Sequence, residues 1–197
     1  MSKMDDPLLP ERIRAGEPGA IREVVEAYLE QILRAARGAG LDAQHAEDVT
    51  QATFATFIEK ASQFEGRSHV RTWLFGILYR KVSEARRGLE RDRRSDDIED
   101  VVERRFKPNG MWSKPPQSVR LYGAEVRVFI DDCLGLLPTA QRMAFLLREV
   151  EDMTTEEICK ILEVTTTNLG VLLYRGRNRL RECLESKGVE GSYGAEL

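Results

Sequence analysis

Residues 154–184 read TTEEICKILEVTTTNLGVLLYRGRNRLRECL, and the fold is decided here. Thr154 and Glu157 stand at capping-box spacing, where each side chain satisfies an amide that the other's helix start leaves unpaired. Ile158, Ile161 and Leu162 follow on one helical face, and Glu163, Val164 and Thr165 leave room for only a tight connection. Thr165 or Thr166 can cap a longer helix that turns Leu169, Leu172, Leu173, Leu180 and Leu184 inward. A short apolar-faced helix, a tight turn and a longer helix with a polar start form the helix-turn-helix pattern, whose second helix enters the major groove. On that reading Thr166, Thr167, Asn168 and Val171 face base edges, and Arg175, Arg177 and Arg179 reach phosphates. Asparagine can bond adenine in a bidentate manner, and threonine offers both a hydroxyl and a methyl group. The plainer alternative is two packed helices with a solvated arginine face. Charge argues against it, because Tyr174 to Arg181 holds four arginines and no acid.

Working upstream, an amphipathic run starts near Val119 and carries Val126, Phe129, Ile130, Cys133, Leu136 and Leu137. Pro138 breaks it and opens the next helix, which buries Met143, Ala144, Leu146, Leu147 and Val150. Residues 119–186 thus read as one helical module, with 187–197 as a glycine-bearing flexible tail. Between about Gly88 and Ser118 the period fails, and arginines, acids and the prolines Pro108, Pro115 and Pro116 suggest an interdomain linker over 91–118. Trp112 lies within it.

Residues 8–90 form a second module. Ile21, Val24, Val25, Tyr28, Leu29 and Ile32 share one face of a helix from Glu17 to Ala36, which Gly38 and Gly40 stop. Asp42 is placed to cap a helix that turns Ala46, Val49, Thr53, Phe54, Phe57 and Ile58 to a core. After a loop over 63–68, a third helix carries Val70, Trp73, Leu74, Ile77, Leu78, Val82 and Ala85, with a basic opposite face. No segment alternates with period two for long enough to build a sheet, so the class is all-α: two small helical domains on a slack connector.

The net charge of −3 conceals an uneven distribution. Residues 1–66 hold seven Lys/Arg against twelve Asp/Glu, whereas Arg67 to Arg94 hold nine against three. Salt screening makes electrostatics local, so basic segments on an acidic background can still bind nucleic acid. No apolar stretch approaches the length of a membrane span and no signal peptide is visible, so a cytoplasmic protein without membrane insertion is expected. Cys133, Cys159 and Cys183 are far apart and odd in number, and read as buried or inert thiols. His45 and His69 are the only histidines, and no catalytic or metal motif suggests itself, so neither an enzyme nor a cofactor nor a metal is expected.

Six segments in two sets together resemble a known family. Leu137-Pro138-Thr139-Ala140-Gln141-Arg142, Thr155-Glu156-Glu157-Ile158 and Tyr174 to Arg181 are similar to region 4 of bacterial sigma factors of the extracytoplasmic-function group. Ala46 to Phe54, Phe64-Glu65-Gly66 and Thr72 to Ile77 resemble region 2 of the same family. The resemblance implies that Glu47, Asp48 and Gln51 dock on the clamp helices of the largest subunit of core RNA polymerase. It further implies that the C-terminal domain meets the flap and reads the −35 promoter element, and that an anti-sigma factor holds the protein inactive. For the −10 element it implies that Phe64, Arg67 and Ser68 receive a flipped base while Arg71, Arg80 and Lys81 follow the strand.

Two details keep alternatives open. Trp73 has the spacing of a core residue, and Phe64 suits a hydrophobic plug as well as a base platform. Asn168-Leu169-Gly170-Val171-Leu172-Leu173 also lacks the basic residues many family members carry there, so the −35 sequence does not transfer from relatives. A regulator that uses the helix-turn-helix without joining polymerase is the competing reading; it leaves the Asp48 surface without a role.

Overall fold

In the computed structural model, which describes residues 6–90 and 124–188 and the side chains of 6–87 and 129–188, helices form where apolar period and caps coincide. They are α1 (Leu9–Arg14), α2 (Pro18–Gly38), α3 (Ala43–Glu59), α4 (Val70–Glu90), α5 (Ala124–Gly135), α6 (Thr139–Glu149), α7 (Thr155–Leu162) and α8 (Thr166–Ser186), with a 3-10 turn at Ala61–Gln63. No strand occurs among the described residues. The expected linker over 91–118, with Trp112, and the tail from residue 189 lie outside the described residues.

Asp42 caps α3 by accepting the His45 N–H at 2.8 Å. That backbone bond, with the His45 ring, holds the Asp42 carboxyl below its usual range. Helix α1 has no counterpart in the periodicity: with Leu9 and Ile13 as its buried residues, it is too short to show a period. Leu29, Ile58, Leu136 and Val150 were expected inside and are exposed. The first two stand at the rims of their apolar stripes, and the last two lie just beyond the ends of α5 and α6, where the chain turns away.

The two helical units do not build separate cores. Ile32, Phe57, Phe75 and Leu78 of the first unit belong to the same continuous apolar cluster as Met143, Leu147, Met153 and Ile158 of the second. Helix α4 is the cause. Its Leu74, Phe75, Ile77 and Leu78 are all buried, and at about 100° per residue they span an arc of roughly 160°. Helices α2 and α3 cover one side of that arc, and α7 with part of α6 covers the other. Only a small satellite cluster, built around Cys133, Leu134, Leu137 and Leu180 on the α5–α8 seam, lies apart. There Cys133 and Cys183 form a disulfide with a Cα–Cα distance of 5.6 Å, which corrects the expectation of three inert thiols; Cys159 is free. A separation of 50 positions hides this pairing from a local reading.

Where α2 ends, Arg142 from α6 lies across Gly40 and donates Nε–H to the Gly38 carbonyl. Arg86 donates to the carbonyls of Ala39 at 3.4 Å and Leu137 at 3.3 Å. Cations are favoured there because a helix C-terminus carries partial negative charge and unpaired carbonyls. Burial, with Arg86 adding and Asp131 opposing, pushes the Arg142 pKa down to about 10, so it stays charged at neutral pH. Gly40 has φ +88°, and a Cβ there would stand 2.3 Å from Arg142 Nη1. Gly40→Ala therefore combines backbone strain with displacement of a buried guanidinium, and is expected to cost more than about 1 kcal/mol. Urea unfolding should show a lower midpoint; an unchanged midpoint would mean that this seat contributes nothing.

Candidate nucleic-acid interface

The helix-turn-helix forms as its caps dictate. Thr154 Oγ1 accepts the Glu157 N–H at 3.3 Å, and Glu157 Oε2 accepts the Thr154 N–H at 2.9 Å. Burial works to raise the Glu157 pKa, but hydrogen bonds from Thr154 and Thr72 and the nearby Arg71 outweigh it and hold the carboxyl below the usual range. Glu163 takes the left-handed conformation, φ 57°, to turn the chain between α7 and α8. Thr165 then caps α8 by accepting the Asn168 N–H at 3.2 Å.

Thr166, Thr167 and Asn168 are exposed at the start of α8, as are Val171, Tyr174 and Arg175 farther along. Arg177 is exposed and pairs with Glu149 of α6. Arg179 is half-buried and donates Nη1–H to Gln141 Oε1 at 3.3 Å. Gly176 permits the helix to lie close on α6, since a Cβ there would meet the Gln141 carbonyl at 3.4 Å. Gly170, by contrast, faces open space and is not required by packing within the chain.

Along α3, Glu47, Asp48 and Gln51 share an exposed face with Ala55 and Ile58. Ile58 is a large apolar side chain on this polar stripe, 52% exposed, which the sequence reading had turned inward. Among the described residues, Glu47 makes a long contact with Arg37, 3.7 Å.

The third set surrounds the loop over 63–68. Phe64 is buried, its ring stacked on Trp73 at 5.0 Å and 18°, while Trp73 also meets Phe57 edge-on. Arg67 is almost fully exposed and pairs with Glu65; Lys81 lies 3.6 Å from Glu84. A cleft of about 730 Å³ opens between this loop, α1 and α7, with Pro10, Phe64, Ser68, His69, Glu157 and Lys160 among its walls. No single helix makes this cleft, and only the juxtaposition of the two units could have revealed it.

That juxtaposition engages the basic face of α4. Arg71 Nη2 donates to the Glu151 carbonyl at 2.7 Å and to its carboxylate at 3.1 Å, with the guanidinium over the Phe75 ring. Thr72 Oγ1 donates to Glu157 Oε1 at 3.3 Å, and Arg80 pairs with Glu163. Glutamates of the second unit thus stand where the sequence reading put a nucleic-acid strand. Among the described residues no group of three His, Cys, Asp or Glu side chains is arranged to hold a metal, and no helix is long and apolar enough to cross a membrane.

Comparison with known proteins is consistent with this geometry. Residues 24–94 match the family described as Sigma-70 region 2, and residues 130–180 match Sigma-70, region 4. A Haemophilus influenzae protein named a probable RNA polymerase sigma factor is 32% identical, covering 72% of this chain and 78% of its own. The ECF RNA polymerase sigma-E factor of Escherichia coli is 23% identical over 90% of this chain and 93% of its own. Among solved structures, CnrH in complex with the cytosolic domain of CnrY aligns with TM-score 0.65 and 23% identity, covering 92% of this chain and 97% of that one. RpoE of Bartonella quintana, in complex with the anti-sigma factor NepR, aligns with TM-score 0.61 and 22% identity over 83% and 96%. Both share the fold.

The interface between the units has a direct test. Glu151 is buried, and removing the Arg71 guanidinium leaves its carboxylate without a cation. A fully buried pair broken in this way costs about 3–5 kcal/mol, and the partial exposure of Arg71 reduces the expected loss to about 2 kcal/mol. Arg71→Ala should lower the thermal midpoint and enlarge the radius of gyration in small-angle scattering; unchanged scattering and stability would show that the pair does not hold the units together.

Proposed function

This chain belongs to the extracytoplasmic-function group of bacterial RNA polymerase sigma factors, and from that premise we propose how its surfaces divide the steps of promoter recognition. The α3 face of Glu47, Asp48 and Gln51 docks on the clamp helices of the largest subunit of core polymerase. Two carboxylates and an amide on an exposed helix face suit arginine partners, because charge-assisted hydrogen bonds to guanidinium are strong and directional. The C-terminal unit meets the polymerase flap and lays α8 in the major groove at the −35 element. Thr166, Thr167, Asn168 and Val171 take base edges; Arg175, Arg177 and Arg179 take phosphates, the last two exchanging Glu149 and Gln141 for DNA.

At the −10 element the cleft beside Arg67 and Ser68 receives an unstacked base, and Phe64 becomes its platform as the stack on Trp73 shifts. Arg71, Arg80 and Lys81 follow the displaced strand. Arg71 and Arg80 cannot hold phosphates and the glutamates of the second unit together, so α7 leaves α4 when the strand is bound. Unpairing costs a few kcal/mol per flipped base, which capture of the strand offsets without nucleotide consumption. The single observation that carries this reading is the exposed, Thr165-capped start of α8 with an acid-free arginine run behind it, in a segment matching Sigma-70 region 4. An anti-sigma partner for this chain is supported by the two similar structures, in which CnrH is bound to the cytosolic domain of CnrY and RpoE to the anti-sigma factor NepR.

Mixed with core polymerase, the protein should direct transcription from a promoter library, whereas a regulator outside polymerase would direct none. Asp48→Arg should weaken core binding at least about tenfold, a loss of about 1.4 kcal/mol, without changing the thermal midpoint; equal binding would remove Asp48 from the docking face. For Arg175→Ala, affinity should fall on every duplex and the slope of log affinity against log salt should flatten by about 0.9. A changed sequence preference at unchanged slope would assign Arg175 to a base instead.

A further inference from the structure

The Cys133–Cys183 bond joins α5 and α8 across a seam that lies apart from the continuous core. Helix α5 is the first described element after residue 123, and its main neighbour is α8. The seam between them has its own small cluster, apart from the continuous core: Leu134, Leu137 and Leu180 are buried there, with Ile130, Phe145 and Leu184 partly so. Outside that cluster, Lys187 pairs with Asp132 at 3.3 Å and lies over the Phe129 ring at 5.2 Å. Exposed contacts of that kind contribute little. A cross-link closing a loop of fifty residues restricts the unfolded chain strongly, so its presence or absence weighs most on a seam of this size.

We propose that Cys133 and Cys183 are a redox-modification site, a reversible dithiol–disulfide pair that decides how firmly α5 supports the C-terminal half of α8. The two sulfurs differ in access: Cys133 is 1% exposed, whereas Cys183 is only partly buried. A hydroperoxide is the oxidant class this arrangement admits. The Cys183 thiolate attacks one peroxide oxygen, the O–O bond breaks, and the departing hydroxide leaves as water with the thiol's proton. The Cys133 thiol then attacks the resulting sulfenic sulfur, the S–S bond forms, and a second water departs. Overall, two thiols lose two protons and two electrons and hydrogen peroxide becomes two waters. A dithiol reductant reverses this by attacking Cys183 Sγ, expelling the Cys133 thiolate and then closing its own disulfide.

In the disulfide form α5 covers the Leu180 and Leu184 face of α8. In the dithiol form α5 loses this covalent tie to α8, and the arginine-bearing half of α8 has a less firmly fixed backing. The consequence for DNA rests on the reading of α8 as the −35 helix. Cys159 lies in the other cluster and remains a thiol in both states.

The test uses full-length protein, reduced with dithiothreitol, freed of it, and treated with one equivalent of hydrogen peroxide. Maleimide titration should fall from three thiols to one, and peptide mapping should recover a Cys133–Cys183 link with Cys159 alkylated. The oxidised protein should melt about 10 °C above the reduced form, and that difference should vanish in the Cys133→Ser/Cys183→Ser variant. Affinity for a −35 duplex should be several-fold higher for the oxidised form. Three free thiols after peroxide, a link through Cys159, or identical melting of the two forms would overturn the assignment. A melting shift in a protein that binds no promoter duplex in either state would remove α8 from −35 reading and leave the redox site standing.

Discussion

A carboxylate buried away from water must find a cation or strong donors, and Glu151 finds both across the junction of the two helical units. Arg71 of α4 bonds its carbonyl and its carboxylate, and Gln31 of α2 donates to the same oxygen. Desolvating a charge is costly enough that the second unit has few ways to sit on the first. The apolar contacts of Met153 and Ile158 supply attraction without direction. Glu151 supplies the direction, and Arg142 over Gly40 fixes the opposite end of the same interface.

Under the proposed function the basic face of α4 has two competing sets of partners. Within the chain, Glu151, Glu157 and Glu163 engage Arg71, Thr72 and Arg80. A nucleic-acid strand offers the same side chains phosphates, with the same sign of charge and similar acceptor chemistry. Closure and strand binding are therefore exclusive at these residues. Glu47, Asp48 and Gln51 on α3 and the start of α8 stay exposed in the closed arrangement, so under the proposed function polymerase and duplex contacts begin before the units part.

Much of the helical pattern was legible along the chain. The capping box at Thr154, the Asp42 cap, the turn after Gly38 and the apolar stripes of α2 to α4 are local signals, set by neighbours within a few residues, and they form as the sequence implies. Exposure of Thr166, Thr167 and Asn168 follows from the same periodicity. The rims of the stripes were less legible: Leu29 and Ile58 have the composition of core residues, but a helix face is as wide as its neighbours make it. Helix α1 escaped because six residues hold less than two turns of pattern.

What the sequence determined alone was therefore the all-α class, the helix-turn-helix, the basic segments and the two sets of family motifs, because each depends on short-range spacing. Tertiary structure alone decided that one core serves both units, that Glu151 and Glu163 occupy Arg71 and Arg80, that Phe64 lies flat on Trp73, and that Cys133 meets Cys183. The ion pairs among these contacts join residues as many as 83 positions apart, and the others depend on which face a neighbouring helix covers. Such pairings depend on how the helices assemble as a whole, and local spacing carries no record of that.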